Sequence, residues 1–344
     1  MNRTLFLYLQ AAKELNLPME YRYEFEGVSV VLAGKTYYFR HGYTPFNNGA
    51  TDNIALNKYS VNHLLNKAGF PVPLATAVSI KDRVNGVWTL PKLNYPIVAK
   101  PTAGTSCGFD VFCNIKNEQV LIEYLNETAE NHDFISLETF EQGLTSYRVL
   151  VFFNKVIAVT KRDPACVIGD EKHSIAELID IENEKRVKIT TVTLDKIKVD
   201  REYETKLKEM NITLDYIPKN NEKIVLCYTC NSTRGGTMTS LGKSICRANA
   251  KLACKAAKLL ELNLVGFDII CEDIMIPIKK SRGFIIEANS NPDLTIHESP
   301  LAGPCVQVTK IFLQNLIKKH PIAYVFNYLK TMLATNSDYE KSIS

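Results

Sequence analysis

Two short apolar runs in the carboxyl-terminal half, residues 264–271 and 284–288, are rich in β-branched and aromatic side chains, and a segment holding Pro277 and Gly283 separates them. That pattern predicts two strands joined as a hairpin. Side chains alternate faces along a strand, so Phe284, Ile286 and Ala288 share one side while Glu287 and Asn289 share the other, about 7 Å apart. Asp268 interrupts the first run in the same way. Upstream, the spacing predicts a helix over 3–17 closed by Pro18 and two strands within 21–39 turned at Gly34. A loop crowded with Gly, Asn, Pro and Thr follows over 41–53, then a helix over 57–68 that Gly69 and Pro71 stop.

Pro96 introduces a compact strand over 97–100 that ends on Lys100, and PTAGTSCGFDV comes directly after it. Asn117 caps a helix, a strand covers 134–140, and Arg148 opens a strand pair with its turn expected at Asn154–Lys155. Residues 166–221 are mixed and highly charged, which predicts an insertion whose charges are mostly a solvated surface. The core resumes at 223–228, followed by the glycine loop TCNSTRGGTMTS, a helix over 245–262 with lysines opposite its apolar stripe, and a closing helix over 306–318. The last residues, from about 336, are expected to fray.

A chain of 344 residues with 46% hydrophobic residues can bury a core for two or three subdomains. Its formal charge of +4 comes without an arginine-rich run or an aromatic-interleaved basic stripe, so no nucleic-acid partner is predicted. The amino-terminal apolar stretch is shorter than a secretory core of about 7–15 residues. Residues 321–333 fall short of the roughly 20 apolar residues of a membrane span. No exported or membrane-spanning segment is therefore expected. Nine cysteines, an odd number scattered through the predicted elements, point to reduced thiols and a cytoplasmic location. Cys227 and Cys230 form a C-x-x-C, but Cys246 and Cys254, eight apart, do not supply the second pair that zinc requires.

Ionised carboxylates are costly to bury unless paired or metal-bound. Hard oxygen donors of this kind suit Mg²⁺, which shares its shell with waters and nucleotide phosphates. Asp268, Glu287 and Asn289 thus read as a magnesium-nucleotide clamp, against the competing reading of ordinary residues on the wet side of a sheet. The loop from Gly104 to Gly108 can close its backbone N–H groups on phosphate oxygens. It is not a Walker A loop, because no G-K-[ST] follows, and an ordinary turn also accounts for its two glycines.

The stretches YPIVAKPTAGTSCGFDV, SYRVLVFFNKVIAVTKRDPACVIGDEKHSIAELI, NSTRGGT, and VGFDIICEDI leading to GFIIEANSNPDLTIHESP together resemble the ATP-grasp ligases over about residues 50–315. Within that family the likeness is strongest to the ATP-grasp portion of cyanophycin synthetase, then to bifunctional glutathione synthetase, and more distantly to D-alanine:D-alanine ligase. VIGDEKHSIAELI is similar to an insertion of the cyanophycin synthetase group. The resemblance implies an α/β (α+β) ATP-grasp fold that holds a nucleotide between a small lid α/β subdomain and a larger antiparallel-sheet subdomain. The expected layout is a small α/β region at 1–48, the start of the core at 49–95, the lid at 96–145, the carboxyl-terminal subdomain at 146–330 with its insertion at 166–221, and a tail at 331–344.

By the same resemblance, Lys58 and Lys100 reach the α- and β-phosphates of ATP, and Gly104, Thr105, Ser106 and Gly108 belong to the mobile loop over them. Glu138, Thr139 and Phe140 match the hinge that takes the adenine edge. Asp268, Glu287 and Asn289 match ligands of Mg²⁺, two ions in all, with Mn²⁺ as a substitute, and Glu287 counts as catalytic. Arg148 and Arg162 fall where the group faces its acceptor, and Arg234, Gly235 and Gly236 fall where it stabilises transferred phosphate and substrate carboxylate. His297 and Ser299 belong to the substrate loop, although a single histidine there is more often structural or exposed. Two departures bear on substrate identity: Arg234 stands where relatives carry a small residue, and HESPLAG lacks the serine of a typical H-x-x-P-S segment.

The implied reaction activates a carboxylate as an acyl phosphate, which an amine then displaces to give an amide, ADP and phosphate. A small-molecule or peptide acid and an amine or amino acid are the expected partners, and related ligases frequently form homo-oligomers. The general base for the amine stays unassigned. Two other readings compete: a non-catalytic ATP-binding regulatory or partner protein, and a kinase that stops at phosphoryl transfer.

Overall fold

The computed structural model describes residues 2–104, 110–189 and 194–329. Three residues expected in the phosphate loop, Thr105, Ser106 and Gly108, lie outside the described residues, as does the tail from 330.

Helix α1 (Arg3–Glu14) begins at Asn2, whose side chain accepts from the Thr4 N–H and so satisfies a donor that the first turn leaves over. It packs on an antiparallel sheet of β1 (Met19–Arg22), β2 (Gly27–Leu32) and β3 (Lys35–Phe39), in that order. The sequence suggested two strands here. The extra one, β1, buries none of its residues fully and so leaves no hydrophobic alternation to read. Helix α2 (Gly49–Ala55) forms where a loop was expected, because Asn48 accepts from the N–H groups of Ala50 and Thr51. The same Asn- and Gly-rich composition serves a helix start as well as a turn. Helix α3 (Lys58–Lys67) follows, capped by Asn57.

Next come β4 (Ala75–Ser79), a small hairpin of β5 (Arg83–Val84) and β6 (Val87–Trp88), then β7 (Ile97–Pro101), β8 (Phe112–Ile115), α4 (Glu118–Thr128) and β9 (Phe134–Thr139). These strands, apart from the hairpin, make an antiparallel sheet ordered β4-β9-β7-β8. Trp88, Ile97, Phe112, Leu121, Tyr124 and Leu137 close its core against α4.

The largest sheet is built from β10 (Thr145–Phe152) and β11 (Lys155–Asp163), then, after the insertion, β14, β15 and β16. The insertion and its flanks supply β12 (Cys166–Ile168), α5 (Ile175–Lys188), α6 (Arg201–Glu209) and β13 (Lys223–Val225). Then follow β14 (Thr237–Ser240), α7 (Arg247–Leu259), β15 (Leu264–Cys271), β16 (Gly283–Asn289), the short α8 (Thr295–Glu298) and α9 (Val308–Lys319). The strand order is β14-β11-β10-β15-β16, antiparallel throughout, and β15–β16 is the hairpin that the apolar runs predict. The β10–β11 turn falls on Phe153 and Asn154, at φ 43° and 60°, one residue earlier than expected.

One face of this sheet presents Tyr147, Val149, Val151, Val265, Phe267 and Ile269 to α7. Along the other face the strands change character partway. Leu150, Phe152, Ala158 and Leu264 lie in the core that includes Phe312 of α9 and Leu5 and Tyr8 of α1, while the neighbouring positions on the same face carry charge. Each fully buried large apolar side chain contributes about 1.5–3 kcal/mol. The apolar half thus fixes the sheet, and the polar half is held in place by it.

The charges of the insertion lie mostly at the surface, as the sequence predicts, but the segment also builds an apolar core of its own. Ile175, Leu178, Ile179, Ile197, Tyr203 and Leu207 bury together with Ile224 and Leu226, and two charged residues, Arg186 and Glu202, are buried as well. On α6 the buried apolar positions are Tyr203 and Leu207, one turn apart, with the charged Glu202 buried beside them, so the dense charge of the helix conceals the stripe.

Candidate active site

Because β10, β11, β15 and β16 are in antiparallel register, a single row of side chains crosses four strands: Thr160 opposite Arg148, Arg148 opposite Asp268, and Asp268 opposite Glu287. Directly opposed residues share a face. The alternation that sends Val149 and Phe267 into the core therefore sends Arg148 and Asp268 to the other side. Gly266, next on that side of β15, leaves room for the arginine, since a Cβ there would meet Arg148 Cδ at 2.9 Å and Pro292 Cβ at 3.0 Å.

Asp268 is gripped by two guanidiniums. Arg148 donates through Nε and, at 3.3 Å, through Nη2, and Arg162 Nη2 lies 2.9 Å from the other carboxylate oxygen. Burial alone would push the Asp268 carboxyl up, but the Arg148 and Arg162 charges hold it below the usual carboxylate range. Ser146 orients Arg162 by accepting from it at 3.0 Å. Glu287 faces Lys58 at 3.7 Å and keeps part of its carboxylate exposed.

The opposite wall comes from the four-stranded sheet. Lys100 at the end of β7 and Glu138 on β9 are both buried and pair at 2.9 Å. Burial would lower the Lys100 ammonium, yet Glu138 more than restores it, so the lysine stays protonated. Glu138 also accepts from Ser136, so its carboxylate holds Lys100 while its strand continues into Thr139 and Phe140. Lys58 is set at the first turn of α3, where its backbone N–H donates to the Thr102 carbonyl just beyond β7.

Between the two walls lies a cleft of about 750 Å³. Lys58, Lys100, Glu138, Thr139, Phe140, Arg148, Arg162, Asp268, Glu287 and Asn289 all line it. Among the described residues no group of three or more His, Cys, Asp and Glu could hold a metal ion. The oxygen set here is of a different kind. Asp268 and Glu287 are directly opposed on neighbouring strands, the first balanced by Arg148 and Arg162 and the second facing Lys58 at 3.7 Å. Asn289 donates its amide nitrogen to the Gly266 carbonyl at 3.2 Å, which leaves its side-chain oxygen for a ligand. Two carboxylates and an amide oxygen on one face of a cleft fit a hard divalent cation.

The structure places five other candidates away from this cleft. Arg234 is buried beneath the insertion, where Nη2 meets Asp200 at 2.5 Å and Glu202 at 3.0 Å. Gly235 and Gly236 are packing positions: a Cβ on the first would meet Ile197 at 2.6 Å and on the second the Asn231 carbonyl at 2.7 Å. His297 is fully buried rather than exposed, hydrogen-bonded through Nδ1 to Thr160 Oγ1 at 2.9 Å. Burial, and secondarily Arg148, push its imidazole down to about 3, so it is neutral. Ser299 lines a separate hollow of about 300 Å³ beside Arg3, Ser232 and Asp293.

Conversely, Cys113, Lys206, Tyr228, Cys230 and Asn231 line the cleft without having been singled out for it. Cys113 on β8, Tyr228 and Cys230 before the NSTRGGT loop and Asn231 at its start stand next to chain assigned to the site, whereas Lys206 on α6 carries no such signal. The C-x-x-C thiols are protonated, pushed up by burial to about 11 for Cys227 and about 12 for Cys230, and they donate to backbone carbonyls of Thr229 and Tyr228.

No protein-family model matches the chain. It is 33% identical over 261 residues to the cyanophycin synthetase of Crocosphaera subtropica, a match covering 73% of this chain and 29% of that protein. It is 28% identical over 271 residues to the bifunctional glutathione biosynthesis protein of Pasteurella multocida, covering 77% and 35%. The chain thus spans about a third of the length of these relatives. The crystal structure of a bifunctional glutathione synthetase from Pasteurella multocida superposes with a TM-score of 0.61 at 23% identity, covering 93% of this chain and 44% of that one. With a shared fold and a third of its residues identical across nearly three quarters of its length, the chain belongs to the ATP-grasp ligase family.

Proposed function

We propose that the protein is an ATP-dependent carboxylate–amine ligase that forms an amide between an amino-acid or peptide acid and an amine, releasing ADP and phosphate. One observation carries this reading. Two lysines, Lys58 and Lys100, and the oxygen donors Asp268, Glu287 and Asn289 come from separate sheets and helices to line one cleft.

A carboxylate has no leaving group at neutral pH, so coupling requires prior phosphorylation, and phosphoryl transfer depends mostly on positioning and charge neutralisation. Lys100, kept charged by Glu138, and Lys58 at the mouth of α3 would hold phosphate oxygens. Thr139 and Phe140 would border the base. Asp268, Glu287 and Asn289 would hold Mg²⁺, which when bound supplies neutralisation of developing phosphate charge. Arg148 and Arg162 line the cleft while paired to Asp268, and two guanidiniums against one carboxylate leave a positive charge that favours an anionic acid substrate. Among the described residues no histidine lines the cleft to act as base, and His297 is enclosed behind Thr160.

The test is phosphate release from ATP and Mg²⁺ across a panel of acid and amine pairs. ADP and phosphate are expected only when both partners are present. AMP and pyrophosphate as products, or phosphate release that ignores the amine, overturn the proposal.

A further inference from the structure

Of the five cationic side chains that line the cleft, four face a carboxylate: Lys58 faces Glu287, Lys100 faces Glu138, and Arg148 and Arg162 share Asp268. The fifth, Lys206, has no carboxylate at ion-pair distance among the described residues. Its ammonium lies 3.9 Å from the centroid of the Tyr228 ring. That ring is itself fixed, with its hydroxyl donating to Glu209 and accepting from Asn114 at 3.1 Å, and it meets Phe140 edge-on at 5.0 Å. An ammonium held over an aromatic face is oriented without being neutralised, so its charge stays available to an incoming anion.

Rotation of α6 is set by Tyr203 and Leu207, which are buried one turn apart, and this turns Lys206 toward the cleft. We propose that Lys206 is an anion-binding residue of this cleft, delivered by the insertion, and that it takes a phosphate oxygen of the bound nucleotide. The inference rests on the ligase reading above and adds a third lysine, from a different part of the chain, to its phosphate contacts. A solvated surface lysine would not be held against a ring that lines the cleft together with Phe140.

The experiment measures binding of ADP and of adenosine by calorimetry to the full chain and to Lys206→Met, Lys206→Arg and Lys208→Met. Lys208 is exposed on the same helix and does not line the cleft, so it controls for a general change in surface charge. ADP affinity is expected to fall about tenfold in Lys206→Met, the scale of one charge-assisted hydrogen bond. Adenosine should stay within about twofold, Lys206→Arg should keep most of the ADP affinity, and Lys208→Met should match the unaltered chain. Unchanged ADP affinity in Lys206→Met, or equal losses for ADP and adenosine, overturns the assignment of Lys206. Failure of the unaltered chain to bind either compound overturns the ligase reading itself.

Discussion

Two clusters of three charges, each centred on a buried group, mirror one another in sign. In the five-stranded sheet one carboxylate, Asp268, is held by two guanidiniums, and beneath the insertion one guanidinium, Arg234, is held by two carboxylates, Asp200 and Glu202. They differ in what remains unsatisfied. Glu202 also accepts from the N–H groups of Tyr228 and Thr229 at 2.8 and 2.9 Å and from the Thr229 hydroxyl, so its oxygens are saturated by the protein. The Asp268 cluster opens onto the cleft and stands beside Glu287, whose ion-pair partner among the described residues is a lysine at 3.7 Å. Residue types alone do not separate a site from a brace; unsatisfied capacity facing a cavity does.

That contrast can be broken by experiment. Glu202→Ala strands Arg234 without its buried partner and leaves two backbone donors unmet, so it should cost about 3–5 kcal/mol of stability in urea unfolding. A loss under about 1 kcal/mol would show the lower cluster to be no brace. Glu287→Gln removes a charge that the fold scarcely uses: stability should change by less than about 1 kcal/mol. Turnover in the coupled phosphate-release assay should drop on the order of 100-fold. Undiminished activity contradicts its placement among the metal ligands.

The third prediction concerns pH. His297 is neutral when folded, with its imidazole held down to about 3, and in the unfolded chain it titrates near 6.5. Below about pH 6.5 the unfolded state therefore binds a proton that the folded state refuses, and stability falls as pH drops, until the folded imidazole protonates near 3. Between pH 7.5 and pH 5 this single group should remove about 2 kcal/mol, and His297→Asn should be less sensitive to acid by that amount. Parallel stability profiles for the two proteins would mean that the imidazole is solvated.

The hairpin and its acid residues were legible because β-branched alternation and misplaced carboxylates are local signals, and β15–β16 carries both within 28 residues of chain. The lysine-bearing strand β7 and the helices α3 and α7 were likewise legible from local signals, whereas the strand order of the sheets rests on pairings between distant segments. What escaped depended on tertiary partners. Asn48 reads equally as a turn or a cap, and only the helix after it decides. Arg234 looked available because sequence does not reveal that Asp200 and Glu202, more than thirty residues away, converge on it. Lys206 was lost in a charged helix whose two buried apolar positions are too few to show a face.

The seam between the four-stranded sheet and the insertion has its own consequence. Arg201 pairs with Glu127 and stacks on Phe112 at 4.9 Å, and Glu209 receives Asn114 at 2.7 Å and Lys116 at 3.9 Å. Each subdomain keeps its apolar core to itself, so almost everything that crosses the boundary is polar. Groups of that sort trade each other for water with little loss. Were the molecule to part anywhere to admit or discharge a ligand, this wettable joint is where it would yield first, and added salt would loosen it further.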